Sequence, residues 1–389
     1  MMYVLDHQKC GRVGKSVKST VRVIVAAVAI VGAACLQAAQ VVVGQVAPLS
    51  GLEASQGRAY STGMQLLFDS VNKAGGVNGH SFKLVRRDDG GRAEETVRIT
   101  KQMLAEHNPM ILAGYFGSRN VGDLLASGIL EKETIALVGY RIAEIRPETP
   151  WLYNVRASLR DEIDKLTEHL ATIGITRLGL FYEEGPGART LIAAADESSK
   201  GARAIFVSRA SYPAGSASVA SSVQPFLKSA PQAIIMVSSG AAAAAFIEQY
   251  RGAGGAAQLF AHSGVDIEQL SKRLAGEQMQ GVAIAQVTPS PYKLASPLAK
   301  EFFDLVARTP NLEVPVSYAM IEGYITAKVI VEVVRRQGAR PTREGVPRVI
   351  ESINNLNLGG YAVNFRPGQH SGSKLVELSI ITSAGKIRQ

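Results

Sequence analysis

"QVVVGQVAPLSGLEASQG", Gln40 to Gly57, sets three consecutive valines before a Pro-Leu-Ser-Gly turn and a segment of helical character. A buried strand, a tight polar turn and a helix form one half of a βαβ unit. The pattern then repeats. "MILAG" (110–114), "TIALV" (134–138), "RLGLF" (177–181), "AIIMVS" (233–238) and "GVAIAQV" (281–287) are short, nearly continuous apolar runs. Such runs suit strands covered on both faces, as in a parallel sheet. Helix-sized segments separate them: Met64, Leu67, Phe68 and Val71 recur at helical spacing before Gly75-Gly76, and "AEETVRITKQMLAEH" (93–107) reads as a helix after the strand "FKLVRRDD" (82–89). The expected class is α/β, with doubly wound parallel sheets.

In such sheets ligands bind outside the carboxyl ends of the strands. The loops there are Pro48–Gly51, Tyr115–Asn120, Gly139–Ile142, Tyr182–Gly187, Ser238–Gly240 and His262–Gly264. They are rich in Ser, Gly, Tyr and Asn, which hydrogen-bond without net charge.

The 389 residues suffice for two domains, and 46% apolar with 19% charged residues is a globular composition. Residues 1–39 read as an export signal: Lys9, Arg12, Lys15, Lys18 and Arg22 precede the uncharged run "VIVAAVAIVGAA" (23–34), and cleavage is expected after Ala38 or Ala39. Five bases against Asp6 leave with that segment, so the formal charge falls from +9 to +5, too mild to indicate a nucleic-acid partner. Both cysteines, Cys10 and Cys35, fall in the same segment, so a mature chain has no disulfide or thiolate metal site, and a bacterial periplasm is the expected location. The rival is lipid attachment at Cys35, against which Gly32 stands where a large aliphatic residue is wanted.

Motifs for chemistry are missing. There is no phosphate loop, no Gly-x-Gly-x-x-Gly after the first strand and no Gly-x-Ser-x-Gly elbow. His7, His80, His107, His169, His262 and His370 are scattered, without a His-x-x-x-His pair, so no metal site is expected. His80, after Asn78-Gly79, reads as a solvated turn residue. Asp88-Asp89 and Glu183-Glu184 are adjacent acids at strand ends whose side chains point to opposite faces, so they read as turn-forming or solvated. No enzyme activity and no cofactor are expected.

Three segments, "VGQVAPLSG" (43–51), "GMQLLFDSVNKAGGVNGHSFKLVRRDDGG" (63–91) and "ILAGYFGSRNVGDLL" (111–125), resemble the leucine/isoleucine/valine-binding family of periplasmic proteins, the type I solute-binding proteins of ABC importers. The resemblance continues through "WLYNVRAS" (151–158), "AAAFIEQYRGAG" (243–254) and "EGYITAKVIVEVV" (322–334) to "LGGYAVNFRPGQHSGSKLVELSII" (358–381). It implies two doubly wound lobes joined by three crossovers, closing by a hinge on a ligand between them. The implied lobes are 41–156 plus 287–372 and 157–286 plus 373–389, with crossovers near Val155-Arg156, Val287-Thr288 and Gly372-Ser373.

Positions follow from the same resemblance. Ser50 and Gln56 are candidate ligand contacts at the cleft rim. Ser118 and Asn120 match the loop that holds the ligand carboxylate, and a helix opens beside them, whose amides favour an anion. Tyr140, Tyr182 and Ser239 stand in the other strand-end loops. Three departures stand out. Gly139-Tyr140-Arg141-Ile142 lacks the family's Thr, Pro186 replaces an aromatic ring, and Ser263 in "AHSGVD" (261–266) occupies the place of the acid that pairs with a ligand ammonium. Arg119 and Arg141 flank the carboxylate site. With no acid at 263, they point to an anionic ligand without an α-ammonium, unless Glu183 or Glu184 supplies the missing charge. The expected function is capture of a small amino-acid-like or carboxylate solute, as a monomer, for the membrane permease of an ABC importer. The alternative is a periplasmic sensor handing its closed form to a membrane receptor. A receptor ectodomain needs a membrane span after residue 389, and a repressor needs a DNA-binding helix pair in front.

Overall fold

The computed structural model describes residues 39–382 and 387–388. The basic and apolar parts of the expected export signal, with Cys10 and Cys35, lie outside the described residues. In chain order the elements are β1 (Ala39–Ala47), α1 (Ala54–Lys73), β2 (His80–Asp88), α2 (Ala93–His107), β3 (Ile111–Phe116), α3 (Ser118–Ala126), α4 (Ile129–Lys132), β4 (Leu137–Arg141) and β5 (Leu152–Tyr153). Then come α5 (Leu159–Thr172), β6 (Arg177–Glu183), α6 (Ala188–Gly201), β7 (Ile205–Tyr212), α7 (Ala220–Ser229), β8 (Ala233–Val237), α8 (Gly240–Gly252), β9 (Gln258–Ala261), a 3-10 turn (Ser263–Val265), α9 (Ile267–Arg273), α10 (Gly276–Met279) and β10 (Ala283–Gln286). Last are α11 (Pro297–Ala307), α12 (Tyr318–Gln337), α13 (Gly345–Glu351), β11 (Leu356–Asn357), β12 (Ala362–Val363), β13 (Glu377–Ile381) and β14 (Ile387–Arg388).

The strands form two doubly wound sheets, one per lobe. The first has the order β2-β1-β3-β4-β5, and the second β14-β13-β10-β9-β8-β6-β7. β1, β3, β4 and β5 pair in parallel, as do β6 to β10 in the second sheet; β13 joins β10 antiparallel. The apolar runs explain themselves here. On β3, Ile111 and Ala113 enter one core cluster and Leu112 another; on β8, Ile234 and Met236 part from Ala233, Ile235 and Val237. Strand alternation sends successive side chains to opposite faces, and both faces are covered.

After β10 the chain returns to the first lobe, where Leu298, Phe302 and most of α12 join the cluster around α1. The two helix backbones approach closely through Gly63 and Gly323. A Cβ on Gly63 would collide with the Met320 carbonyl, and one on Gly323 with the Tyr60 carbonyl. Tyr60 Oη and Thr326 Oγ1 then meet at 2.6 Å. The 77–80 turn docks on the end of α12: Asn78 Nδ2 donates to the Arg335 carbonyl at 2.9 Å, and His80 Nε2 lies 3.2 Å from the Ala339 carbonyl. His80 is therefore buried, against the solvated reading, because its turn is covered by a helix more than 250 residues downstream in the chain.

Three passages connect the sheets side by side. The Asn154 amide donates to the His370 carbonyl at 2.8 Å, the Gly372 amide to the Asn154 carbonyl at 2.7 Å, and Tyr361 Oη lies within 2.9 and 3.0 Å of the Val155 and Val287 carbonyls.

Candidate functional site

A cavity of about 330 Å³ lies between the carboxyl ends of the two sheets. Its first wall begins at the Pro48–Gly51 turn. Asp88 Oδ1 accepts the amides of Leu49 (2.8 Å), Ser50 (3.1 Å) and Gly90 (2.8 Å), so this acid forms the turn. Its neighbour Asp89 turns the other way: Thr96 Oγ1 donates to Asp89 Oδ2 at 2.6 Å, and Asn120 Nδ2 donates to Thr96 Oγ1 at 2.7 Å. Burial raises the Asp89 carboxyl above its ordinary value. The web locks the start of α3, whose cap Gly117 has φ 91°, a conformation suited to glycine. Gly117, Ser118, Arg119 and Asn120 all line the cavity. First-turn amides have no intrahelical acceptor, so this end of α3 is an anion-favouring surface. Ser118 Oγ accepts the Ala143 amide at 3.1 Å, which leaves the hydroxyl proton for another acceptor.

The second wall is acidic. Glu183, at the end of β6, accepts the Tyr212 hydroxyl at 2.8 Å, and Tyr212 Oη in turn accepts the Ser239 amide at 2.9 Å. Desolvation pushes the Glu183 carboxyl up to about 7, with Glu144 and Glu53 adding to the rise and the Tyr212 bond opposing it. Glu183 pairs with no cation among the described residues. Glu144, by contrast, is paired with Arg146. Glu184 points away and accepts the exposed Ser211 hydroxyl at 2.9 Å. His262 is neutral, its value lowered by burial, and Nε2 lies 2.9 Å from the Ser238 carbonyl, which fixes the proton on that nitrogen. The loop Ala214–Ser216 completes this wall.

Behind the cavity runs a buried ionic network. Arg141 Nε and Arg156 Nη1 each lie 3.4 Å from Glu322 Oε2. Arg156 Nη2 donates to Glu162 Oε1 at 2.7 Å and also contacts the Ser263 hydroxyl. Glu162 accepts both the amide (2.7 Å) and the hydroxyl (3.0 Å) of Ser263. Arg141 donates to the Ser263 carbonyl at 3.0 Å and to Gln56 Oε1, with Asp266 Oδ2 at 3.9 Å. Burial opposes the charge of Arg156, but Glu322 and Glu162 outweigh it and hold the guanidinium above its ordinary value.

Of the residues expected from sequence, Gln56, Ser118, Arg119, Asn120, Arg141 and Ser239 line the cavity; Ser50, Tyr140, Tyr182 and Ser263 do not. Ser50 is exposed on its turn. Tyr140 borders a second cavity of about 230 Å³ between the 144–149 loop and residues 154–162. Tyr182 packs on the apolar cluster of Leu178 and Leu180. Ser263 is held by Glu162 and Arg156, because the strand-end loop turns its side chain toward α5 rather than the cleft. The two arginines that argued for an anion without an ammonium are both accounted for: Arg141 is neutralised within the network, and Arg119 is solvent-exposed beside Asp123. Sequence reasoning missed Glu53, which lines the cavity one turn before Gln56. Among the described residues, no group of three or more His, Cys, Asp or Glu is placed to hold a metal ion.

Two doubly wound sheets, a cleft between their carboxyl ends lined by a helix start and by acids, and side-by-side crossovers match a known architecture. The sequence profile described as periplasmic binding protein matches residues 40–385. The chain belongs to the periplasmic binding protein family. A substrate-binding periplasmic protein of Ralstonia solanacearum is 34% identical, covers 90% of this chain and 99% of its own, and superposes with a TM-score of 0.84. The branched-chain amino acid transporter substrate-binding protein of Streptococcus pneumoniae, solved with isoleucine, is 15% identical over 90% of this chain and 98% of that one, with a TM-score of 0.72, a likeness of fold. An amino acid binding protein of Pseudomonas aeruginosa is 32% identical over 80 residues, 21% of each chain, so the match spans about a fifth of that relative's length. Proteins of this family bind solutes on the type I fold.

Proposed function

We propose that this chain is the extracytoplasmic solute-binding component of an ABC importer and that its ligand is a small amino acid carrying a free α-ammonium. The observation that supports this best is Glu183, a desolvated carboxylate with a hydroxyl donor and no cation, facing the cavity opposite the start of α3. A desolvated carboxylate without a cation is unfavourable, and a ligand ammonium relieves it. The ligand carboxylate then sits at the first turn of α3, with the Ser118 hydroxyl donating to it. Phe116, Ile142 and Pro48 leave an apolar volume for a side chain, and about 330 Å³ is at the small end of ligand cavities.

The mechanism is capture followed by closure about the crossovers near 155–156, 287–288 and 372–373, with 41–156 plus 287–372 moving against 157–286 plus 373–389. The closed protein presents a surface to the permease. Isothermal titration of residues 40–389 with leucine, valine, alanine and glutamate, each beside its deaminated acid, tests the ligand. Binding of at least one amino acid with silence from its deaminated partner is expected; equal binding of the two overturns the ammonium assignment.

A further inference from the structure

The turn that opens α1 makes contacts that no ligand is needed to complete. Leu52 and Glu53 belong to the first lobe, yet their partners lie in the second. Arg273 Nη2 donates to the Leu52 carbonyl at 2.7 Å. The Ala241 amide, in the first turn of α8, donates to Glu53 Oε1 at 3.2 Å. Gln269 Nε2 donates to Glu53 Oε2 at 3.2 Å. One turn on, Gln56 Nε2 bridges Glu53 Oε2 (2.8 Å) and the Gly264 carbonyl (3.2 Å). A carboxylate is thus seated at the positive end of a 13-residue helix of the opposite lobe. Gly240 leads that helix and packs against the Val265 carbonyl of its own lobe, which a Cβ would meet at 2.7 Å, while Gln56 Nε2 of the first lobe would lie at contact distance, 3.5 Å. The side chain of Gln56 is itself fixed from behind by Arg141.

We propose that Leu52, Glu53 and Gln56 form a clasp that draws the two lobes together independently of ligand, with Glu53 as its central residue, making Glu53 a determinant of affinity that acts through lobe closure. This rests on the reading that the lobes hinge. The argument is one of linkage. A ligand that requires the closed form binds with an apparent dissociation constant divided by the closed fraction, so contacts that raise the closed fraction raise affinity without touching the ligand. Four cross-lobe hydrogen bonds grouped on one turn, one of them from a helix-start amide to a carboxyl oxygen, are of the strength that shifts such an equilibrium.

Residues 40–389 contain no cysteine, so two labels can be placed cleanly. Lys101→Cys on α2 and Arg189→Cys on α6 are both exposed, one on each lobe. Spin-label distance measurements on the ligand-free protein, before and after Glu53→Ala and separately Arg273→Ala, read the closed fraction directly. Circular dichroism establishes that each variant is folded. The expected result is a dominant short distance in the parent protein and a longer population in both variants. The same distribution in parent and folded Glu53→Ala overturns the clasp, as does a parent protein that is wholly open. Ala214→Trp, on an exposed cleft loop, serves as a wedge. If the wedge lengthens the distance and Glu53→Ala does not, only the clasp fails; if neither does, the hinge reading fails with it. No ligand enters the experiment, so an error in the amino-acid assignment does not alter its outcome.

Discussion

Arg141 and Glu183 face the same cavity from opposite lobes, and their surroundings differ in one respect. Arg141 has Glu322 at 3.4 Å, Asp266 at 3.9 Å and the Ser263 carbonyl at 3.0 Å. Glu183 has one phenol and, for charged neighbours, two more carboxylates. Both are charged residues at strand ends, and the sequence alone favoured the arginine as the ligand contact. The comparison teaches that a charge with counterions inside the protein is structural, whereas a charge left short of one marks where a partner of opposite sign belongs.

The largest test of that contrast is stability. Glu322→Ala leaves Arg141 and Arg156 without their shared counterion and is expected to lower the unfolding free energy by about 3–5 kcal/mol, measured by urea titration. Glu183→Gln is expected to move it the other way at alkaline pH. The folded-state value near 7 lies above the ordinary 4.5, so the native protein holds a proton that the unfolded chain has lost. Stability from this group is present below pH 4.5 and declines as pH rises through about 7; the variant lacks the decline and is more stable at pH 8, by on the order of 1 kcal/mol. If both substitutions destabilise equally, the contrast is broken.

Next comes affinity. Glu183→Gln is expected to weaken amino-acid binding by roughly 1.5–3 kcal/mol in calorimetry, the range for a charged hydrogen bond. A smaller and more diagnostic effect is its pH profile. An ammonium beside Glu183 favours the ionised carboxylate, so binding below about pH 7 expels a proton. Affinity should fall by up to about tenfold per unit between pH 7 and 5.5, and the fall should be absent in Glu183→Gln. The smallest effect belongs to Arg119→Ala, which removes an exposed charge beside Asp123 and is expected to change both stability and affinity by no more than about 0.5 kcal/mol.

The fold was legible because its determinants are local. A run such as "AIIMVS" (233–238) announces a strand covered on both faces, and the distance to the next run announces the helix between them. The site was legible only where backbone geometry decides it. Gly117-Ser118 opens α3 by local turn chemistry, and the opposite facing of Glu183 and Glu184 follows from strand alternation, although which of the two meets the cleft does not. The fate of Arg141 could not be read at all. Its partners are Asp266 and Glu322, brought together by chain segments that share no pattern with it. Ser263 failed for the same reason, since Glu162 and Arg156 claim it from a different helix and crossover. Glu53 was overlooked because an acid in an exposed-looking turn carries no sign of the helix start that receives it.

The close backbone contact of α1 with α12 bears on how the chain acquires its structure. Tyr60 and Thr326, joined across that contact, are 266 residues apart in sequence, whereas β6 to β10 and their helices form an unbroken stretch from Arg177 to Gln286. The five parallel strands of the second sheet can therefore condense from one continuous segment, with β13 and β14 added later, while the first sheet must wait for a helix made after residue 317. A pulse of refolding followed by hydrogen exchange should protect the amides of β8 and β9 before those of α1. An incomplete chain ending before residue 318 would carry the apolar face of α1 uncovered, a surface that a chaperone or a translocation machinery can hold.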